Sequence, residues 1–387
     1  MAHRRAAARG FHLELTGWPD QGQRGHYRGG TGGAVSVYVT NTTNVVLDID
    51  GYFAPAIDSA LAFYPLTPCR IADTRPDRGG GGPIPGGTTQ DFPILDIPGC
   101  TVPATAQAYS LNLAAVPPGP LGYLTVWPKG GSRPTVSTLN DLTGTIVANA
   151  AIVGAGAGGE VSVYPSSDTN LVIDIDGYFA PPATAGLALY AVTPCRVIDT
   201  RSGGGQPFSG LLVPPVDVEH SPCAPSSQAL AYGLNATVVP QGPLGYLTLW
   251  PDGVSQPLAS TLNALDGFIT NNMAIVPTDL GPDYGKINAY ASGTTYLVLD
   301  ISGYFAPLPP LSITTTSLPG GTIYTPYPPT TLAATGGEPP YNWSVIGGRL
   351  AAGTGVKLGW RDLWNAGRRR GLQRHGAGSR HAGERSQ

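Results

Sequence analysis

The chain has 387 residues, with 54 Gly, 39 Pro, two Met and only 12% charged residues. Its net charge of −3 excludes a general affinity for nucleic acid, and no segment approaches the roughly 18 uninterrupted apolar residues that cross a bilayer as a helix. So much Gly and Pro would point to disorder in a polar chain, but 41% of residues are apolar. They come in short Val-, Ile-, Leu- and Tyr-rich runs between turn residues, the pattern of an all-β protein.

In chain order, the first readable text is Val35-Ser-Val-Tyr38, followed by Asn44-Val-Val-Leu-Asp-Ile-Asp-Gly-Tyr-Phe-Ala-Pro55. It returns at Val161–Tyr164 with Asn170–Pro181, and again, altered, at Ile287–Tyr290 with Tyr296–Pro307. Gly51, Gly177 and Gly303 are thus spaced by 126 residues. Between these markers lie two full copies of a longer unit. Leu66-Thr-Pro-Cys-Arg-Ile-Ala-Asp-Thr-Arg75 matches Val192–Arg201, Tyr109–Asn112 matches Tyr232–Asn235, and Gly119–Pro128 matches Gly242–Pro251. Ser137-Thr-Leu-Asn140 matches Ser260–Asn263, and Asn149–Val153 matches Asn272–Val276. Each unit of roughly 120 residues is large enough for its own core. Runs such as Tyr123–Trp127 and Asn170–Asp176 alternate like strands, and no stretch of the repeats sustains a helical period.

These features predict tandem β-sandwich-like repeat domains at 59–181 and 187–307, with a small barrel as the alternative. Residues 34–56 are then the C-terminal fragment of an earlier copy.

The two ends read differently. Residues 1–33 match nothing in frame, yet one base on Met1 becomes Trp and Trp18 becomes Gly, agreeing with Trp127 and Gly144 a further 126 residues along. In that register Phe11–Glu14 admits Ser-Thr-Leu-Asn and Gln23–His26 admits Asn-Ala-Ala-Ile, both texts of the repeat. Trp360–Ala366 admits Gly-Gly-Ile-Ser-Gly-Thr-Pro in the same way. These coincidences point to frameshifts near Arg28–Gly33 and Gly348–Leu350. Met1 is then expected to be a spurious internal start, which accounts for the missing signal peptide. Fourteen of the 22 Lys and Arg residues, Arg368-Arg-Arg370 among them, lie in 1–33 and 349–387. Their basic character is read as a by-product of the wrong frame rather than a nucleic-acid tail, and both ends are expected to be disordered.

The unit running from Pro68–Arg75 through Gly122–Pro128 and Ser137–Asn140 to Asp176–Phe179 resembles a repeat of secreted actinobacterial and acidobacterial proteins, roughly "LDTR … GYLTVYP … SNLN … VADVAGYF", over about residues 32–307. The resemblance implies an extracellular or cell-surface location and attachment to other modules, hydrolases and Ig-like domains included. It brings no catalytic residues. The third marker departs from it at Ser302, where the others have Asp50 and Asp176. Leu318–Tyr324 with Leu332–Val345 resembles the start of a bacterial Ig-like domain, giving a partial Ig-like sandwich at 311–348.

Few residues suggest chemistry. Cys69 and Cys100, like Cys195 and Cys223, occupy equivalent places in the two units, which favours two intra-unit disulfides over metal ligation. Asp48/Asp50 and Asp174/Asp176 before Gly raise a calcium reading, but no further acidic ligand follows. Asp73 with Arg75, and Asp199 with Arg201, are read as structural carboxylate–guanidinium pairs that Arg70 and Arg196 can join, with ligand binding as the alternative. Tyr123, Trp127, Tyr246 and Trp250 either stack on sugar rings, if exposed, or belong to the core. His220 is the one histidine outside the ends, and Ile97 stands at its place in the first unit. No nucleophile–base set is visible.

The sequence therefore predicts no enzyme and no cofactor. It predicts a secreted structural or adhesive repeat protein, with a carbohydrate-binding array or an accessory fragment of a larger secreted hydrolase as alternatives. The partners expected are polysaccharide or cell-envelope components. Resequencing the coding DNA tests the frameshift reading: a single-base insertion or deletion is expected near each junction, and an intact frame across both contradicts it.

Overall fold

A computed structural model describes residues 8–16, 21–28, 30–54, 60–278, 285–322, 325, 328–337, 341 and 343, the first two stretches by backbone alone. The described residues are all β apart from four single 3-10 turns. Residues up to Pro309 form one compact unit, and Pro310 begins a second.

The first repeat contributes four strands to a 12-stranded antiparallel sheet, which runs on into the second repeat where Leu187 pairs with Phe63, and forms a separate four-stranded sheet. The four are β4 (Ala62–Asp73), β6 (Ala108–Val116), β9 (Val147–Gly154) and β11 (Asn170–Ala180), in the order β9-β6-β11-β4. The separate sheet holds β5 (Gln90–Pro93), β7 (Gly122–Pro128), β8 (Leu139–Asp141) and β10 (Glu160–Pro165), in the order β5-β10-β7-β8. Alternate residues of the two sheets share one apolar core, with Leu111, Leu113, Ile173 and Ile175 from the first meeting Leu124, Val126, Val161 and Val163 from the second. The Cys69–Cys100 disulfide ties β4 to the loop before β6. Tyr109 sends its hydroxyl to the carbonyl of Gly159, 2.9 Å away.

The second repeat repeats this plan with β12 (Leu187–Asp199), β13 (Phe208–Leu211), β14 (Val216–Asp217), β15 (Ala231–Pro240), β16 (Leu244–Pro251), β17 (Leu262–Ala264) and β18 (Thr270–Pro277). Here β19 (Lys286–Pro307) is continuous across the positions of both β10 and β11. Its first half pairs with β13, β14 and β16, and its second half with β12 and β15. Cys195 is bonded to Cys223, and the core is again one cluster, with Leu234, Ala236, Leu297 and Leu299 against Leu247, Leu249, Ile287 and Ala289.

Of the ends expected to be disordered, residues 1–7 and 344–387 lie outside the described residues, whereas β1 (Ala8–Thr16) and β2 (Gln21–Arg28) are strands. With β3 (Asn44–Phe53) they form a sheet in the order β2-β1-β3. Backbone pairing explains this: β3 carries the text of β11 and offers an open ladder edge, and any extended segment without proline can pair with it. At a spacing of 126, β2 falls at the position of β9, and β1 lies where the other copies have β6.

Three copies therefore meet in this unit, and their contacts close a cycle. Strands β16, β17 and β18 of the second repeat lie against β4, β9 and β11 of the first. Strands β8 and β9 of the first lie against β2 and β3, and β2 lies against β12, β18 and β19. At the centre Phe53, Phe179 and Phe305, each the last aromatic residue of a Gly-Tyr-Phe corner, gather around Phe63. The Phe63 ring centroid lies 5.0 Å from Phe179 and 4.4 Å from Phe305, and Phe53 lies 6.0 and 6.2 Å from the same two rings.

The corner also explains its glycine. The pairing register of β11 slips between Ile175 and Gly177, and that of β19 slips beside Gly303, so the strand bulges just where the chain reaches the corner. A Cβ on Gly177 would run into the ring edge of Phe63 and the carbonyl of Tyr64. On Gly51, whose copy has no counterpart of Phe63, it would meet nothing within 4 Å. Gly177→Ala is expected to lose about 1–3 kcal/mol of stability and Gly51→Ala only a few tenths. Equal losses in denaturant titrations would contradict this packing.

The second unit is described only in part. Its two short strands, β20 (Ser312–Ile313) and β21 (Ala334–Thr335), pair antiparallel.

Candidate functional site

The residues that the sequence singles out converge on two places in each repeat, a charged quartet at the end of β4 or β12 and an aromatic patch on the smaller sheet. In the first quartet, Arg70 lies directly across from Asp174 in the β4–β11 register. Its Nε donates to Asp174 at 2.5 Å and its Nη1 to Asp73 at 3.0 Å. Arg75 closes a bidentate pair on Asp73, at 2.8 and 2.6 Å, and adds its own backbone N–H. Thr74, between them, accepts the Leu171 N–H on its hydroxyl and sends its N–H to the Leu171 carbonyl. The Asp-Thr-Arg text is therefore a clasp that fastens β4 to β11.

The second repeat reproduces it. Arg201 grips Asp199 at 2.8 and 2.7 Å, Arg196 bonds Asp300 and Asp199, and Thr200 accepts the Leu297 N–H.

The two quartets differ in what covers them. In the first, the loop Leu258–Ser260 of the second repeat lies over the pair: Ser260 donates its N–H to Asp174 at 3.3 Å, and Arg70 donates to the Leu258 carbonyl at 3.1 Å. Asn112 and Asn272 extend this seam, Asn112 donating to the Ser260 carbonyl and Asn272 donating to Asn112 and accepting the Ala150 N–H. The Asp174 side chain is left 4% exposed, whereas Asp300 in the second quartet is 30% exposed.

The charges respond accordingly. Burial pushes Asp174 above the ordinary carboxylate range, against the opposing pull of Arg70 and the Ser260 N–H. Burial also raises Asp73, but the hydrogen bonds and charge of Arg75, with Arg70 beside it, bring it down overall. The hydrogen bond from Arg201 is the main cause that holds Asp199 down at about 2.

The aromatic patch separates the four candidates. Trp127 and Trp250 are buried, each donating its indole N–H to a carbonyl four residues on, Gly131 and Val254, so they are core. Tyr123 lies partly exposed 6.0 Å from Tyr164, over which Arg133 stacks at 3.8 Å. Tyr246 stacks on Tyr290 at 5.7 Å. The signal for Tyr164 and Tyr290 was present, since both end a run that recurs before each marker, but nothing in the run says that it packs beside Tyr123 or Tyr246.

For the calcium reading, the Asp174 oxygens take Arg70 and Ser260, and no group of three or more metal-ligating side chains occurs among the described residues. His220 faces Asp217 at 3.0 Å on an exposed loop.

The signs of these shifts set a pH dependence. Asp73 and Asp199 lie below their usual values, so their contributions hold above the ordinary carboxylate range and are lost as pH falls through the folded values, about 2 for Asp199. Asp174, raised, acts in the opposite sense: its contribution is greatest in acid and declines as pH rises through the carboxylate range. Thermal melts from pH 5 to 1.5 are expected to show Asp199→Asn flattening the acid loss, by of order 1 kcal/mol after solvent screening. An unchanged acid slope would contradict the assignment.

No family model matches the chain, and no curated protein matches it. Among solved structures it is similar to an IolB-like protein from Salmonella typhimurium LT2, at 11% identity and a TM-score of 0.19, over 63% of this chain and 92% of that one. A likeness this slight carries no argument about fold or function.

Proposed function

We propose that the chain is a non-catalytic structural or adhesive protein of the extracellular space or cell surface, built from β-sandwich repeat modules and followed by a partial Ig-like module. The observation that carries this reading is the use made of the shared polar residues. In both repeats the Arg, Asp and Thr side chains of the Pro-Cys-Arg and Asp-Thr-Arg text hold strands together, and in the first Arg70 also reaches the Leu258 carbonyl of the neighbouring repeat. The two disulfides support an oxidising compartment.

A second reading, a polysaccharide-binding array, is favoured by one observation. Tyr123 with Tyr164 and Arg133, and Tyr246 with Tyr290, lie at equivalent places on the two repeats, and Tyr123 is 37% exposed. Apolar ring faces beside a guanidinium suit a sugar ring.

Affinity electrophoresis in gels cast with cell-wall and storage polysaccharides distinguishes the two. The structural reading expects unchanged mobility in every gel. Retardation that Tyr123→Ala and Tyr246→Ala abolish together would replace it with the second reading.

A further inference from the structure

The cycle of three copies is complete on two sides and incomplete on the third. At the seam between the repeats, a hairpin supplies the Ser260 N–H to Asp174 while β17 and β18 lie on β9. At the seam between the earliest copy and the second repeat, the strand equivalent to β9 is in place, since β2 lies against β12, β18 and β19. No counterpart of the β16–β17 hairpin accompanies it among the described residues. Among the described residues Asp300 takes Arg196, and it is 30% exposed where Asp174 is covered.

A second observation points the same way. Val45, Leu47 and Ile49 on β3 are 38–53% exposed, while their counterparts Leu171, Ile173 and Ile175 are fully buried beneath the smaller sheet. Among the described residues no sheet lies over this face of β3 in the way that the smaller sheet lies over β11.

We infer that the Arg196–Asp300 cluster is an interaction surface for the Ser-Thr-Leu-Asn hairpin of a third complete copy of this repeat, so that the unit of assembly is a closed ring of three copies. The chemistry is that of the seam already formed. A backbone N–H beside a small hydroxyl residue reaches the carboxylate, the guanidinium reaches a carbonyl of the same hairpin, and Asn235 stands where Asn112 receives its neighbour. The two hairpins present in the chain carry the same four residues, Ser137–Asn140 and Ser260–Asn263. This concerns assembly and stands whether or not the Tyr patches bind polysaccharide.

The test compares two aspartates in two chains. In the chain as it stands, Asp174→Asn, which alters a buried and hydrogen-bonded charge pair, is expected to shift the melting temperature by about 5 °C or more and Asp300→Asn by about 1 °C or less. In a chain whose residues 1–53 are replaced by the text of residues 60–179, Asp300→Asn is expected to match Asp174→Asn. An Asp300→Asn variant that stays silent in that folded chain overturns the proposal. Should the longer chain fail to fold, a peptide of residues 256–265 added in excess to the present chain decides. Protection of Asp300, and not of Asp174, from carbodiimide labelling supports the surface, and unchanged labelling overturns it. Protection by free acetate or sulfate equal to that by the peptide would also overturn it, marking a small-anion site instead.

Discussion

Phenylalanines 126 residues apart in sequence can meet only if each copy turns the same corner toward the same point, and the meeting of Phe53, Phe179 and Phe305 around Phe63 is the constraint on which the first unit depends. Each corner carries a bulge that aims its ring inward, and at Gly177 the absence of a side chain lets the edge of the Phe63 ring approach the backbone. Buried aromatic rings supply large apolar area with little side-chain entropy to lose, which makes them effective at a junction narrow enough to hold only a few residues. Ala150, Ala231, Met273 and Ile275 close around them, so the junction is a third core between the cores of the two repeats.

Around that apolar centre the seam is polar, and this determines how the copies fit rather than how strongly they hold. Removing Asp174 and Arg70 from water costs much of what their attraction returns. The pair earns its place through direction: its oxygens and nitrogens accept only a hairpin that presents an N–H and a carbonyl at the right separation. A purely apolar seam would tolerate sliding, whereas the Asn112–Asn272–Ser260 chain of hydrogen bonds fixes one register.

Much of the fold was legible because repetition doubles every signal. The strands, the turn glycines and both disulfides follow from text that occurs twice, with equal spacing and equal chemistry. Within the candidate site, the Asp73–Arg75 and Asp199–Arg201 pairs were readable, since residues two apart at a strand end can reach each other. The partners Asp174 and Ser260 were not. One belongs to the DGYF text a hundred residues away and the other to a different repeat, and periodicity within a repeat says nothing about contacts between repeats. Alternation holds at Asp174 and Asp176: both carboxylates face the second repeat, Asp174 accepting the Ser260 N–H and Asp176 the Ile275 N–H. Residues 8–28 hid their strands for another reason: pairing with β3 uses backbone groups that any sequence carries.

Linear repeat proteins stack each unit on its neighbour and need distinct caps at both ends, because every internal surface has a partner and the terminal ones do not. A closed ring of three removes both ends at once. Each copy gives one hairpin and receives one, so a single sequence serves every position and no cap is required. The near identity of the two full repeats at the quartet and at the Ser-Thr-Leu-Asn hairpin suits that arrangement, since in a capped stack the last copy would gain by losing its acceptor charges. The second repeat retains all four of them, Arg196, Asp199, Arg201 and Asp300, and among the described residues no hairpin covers them.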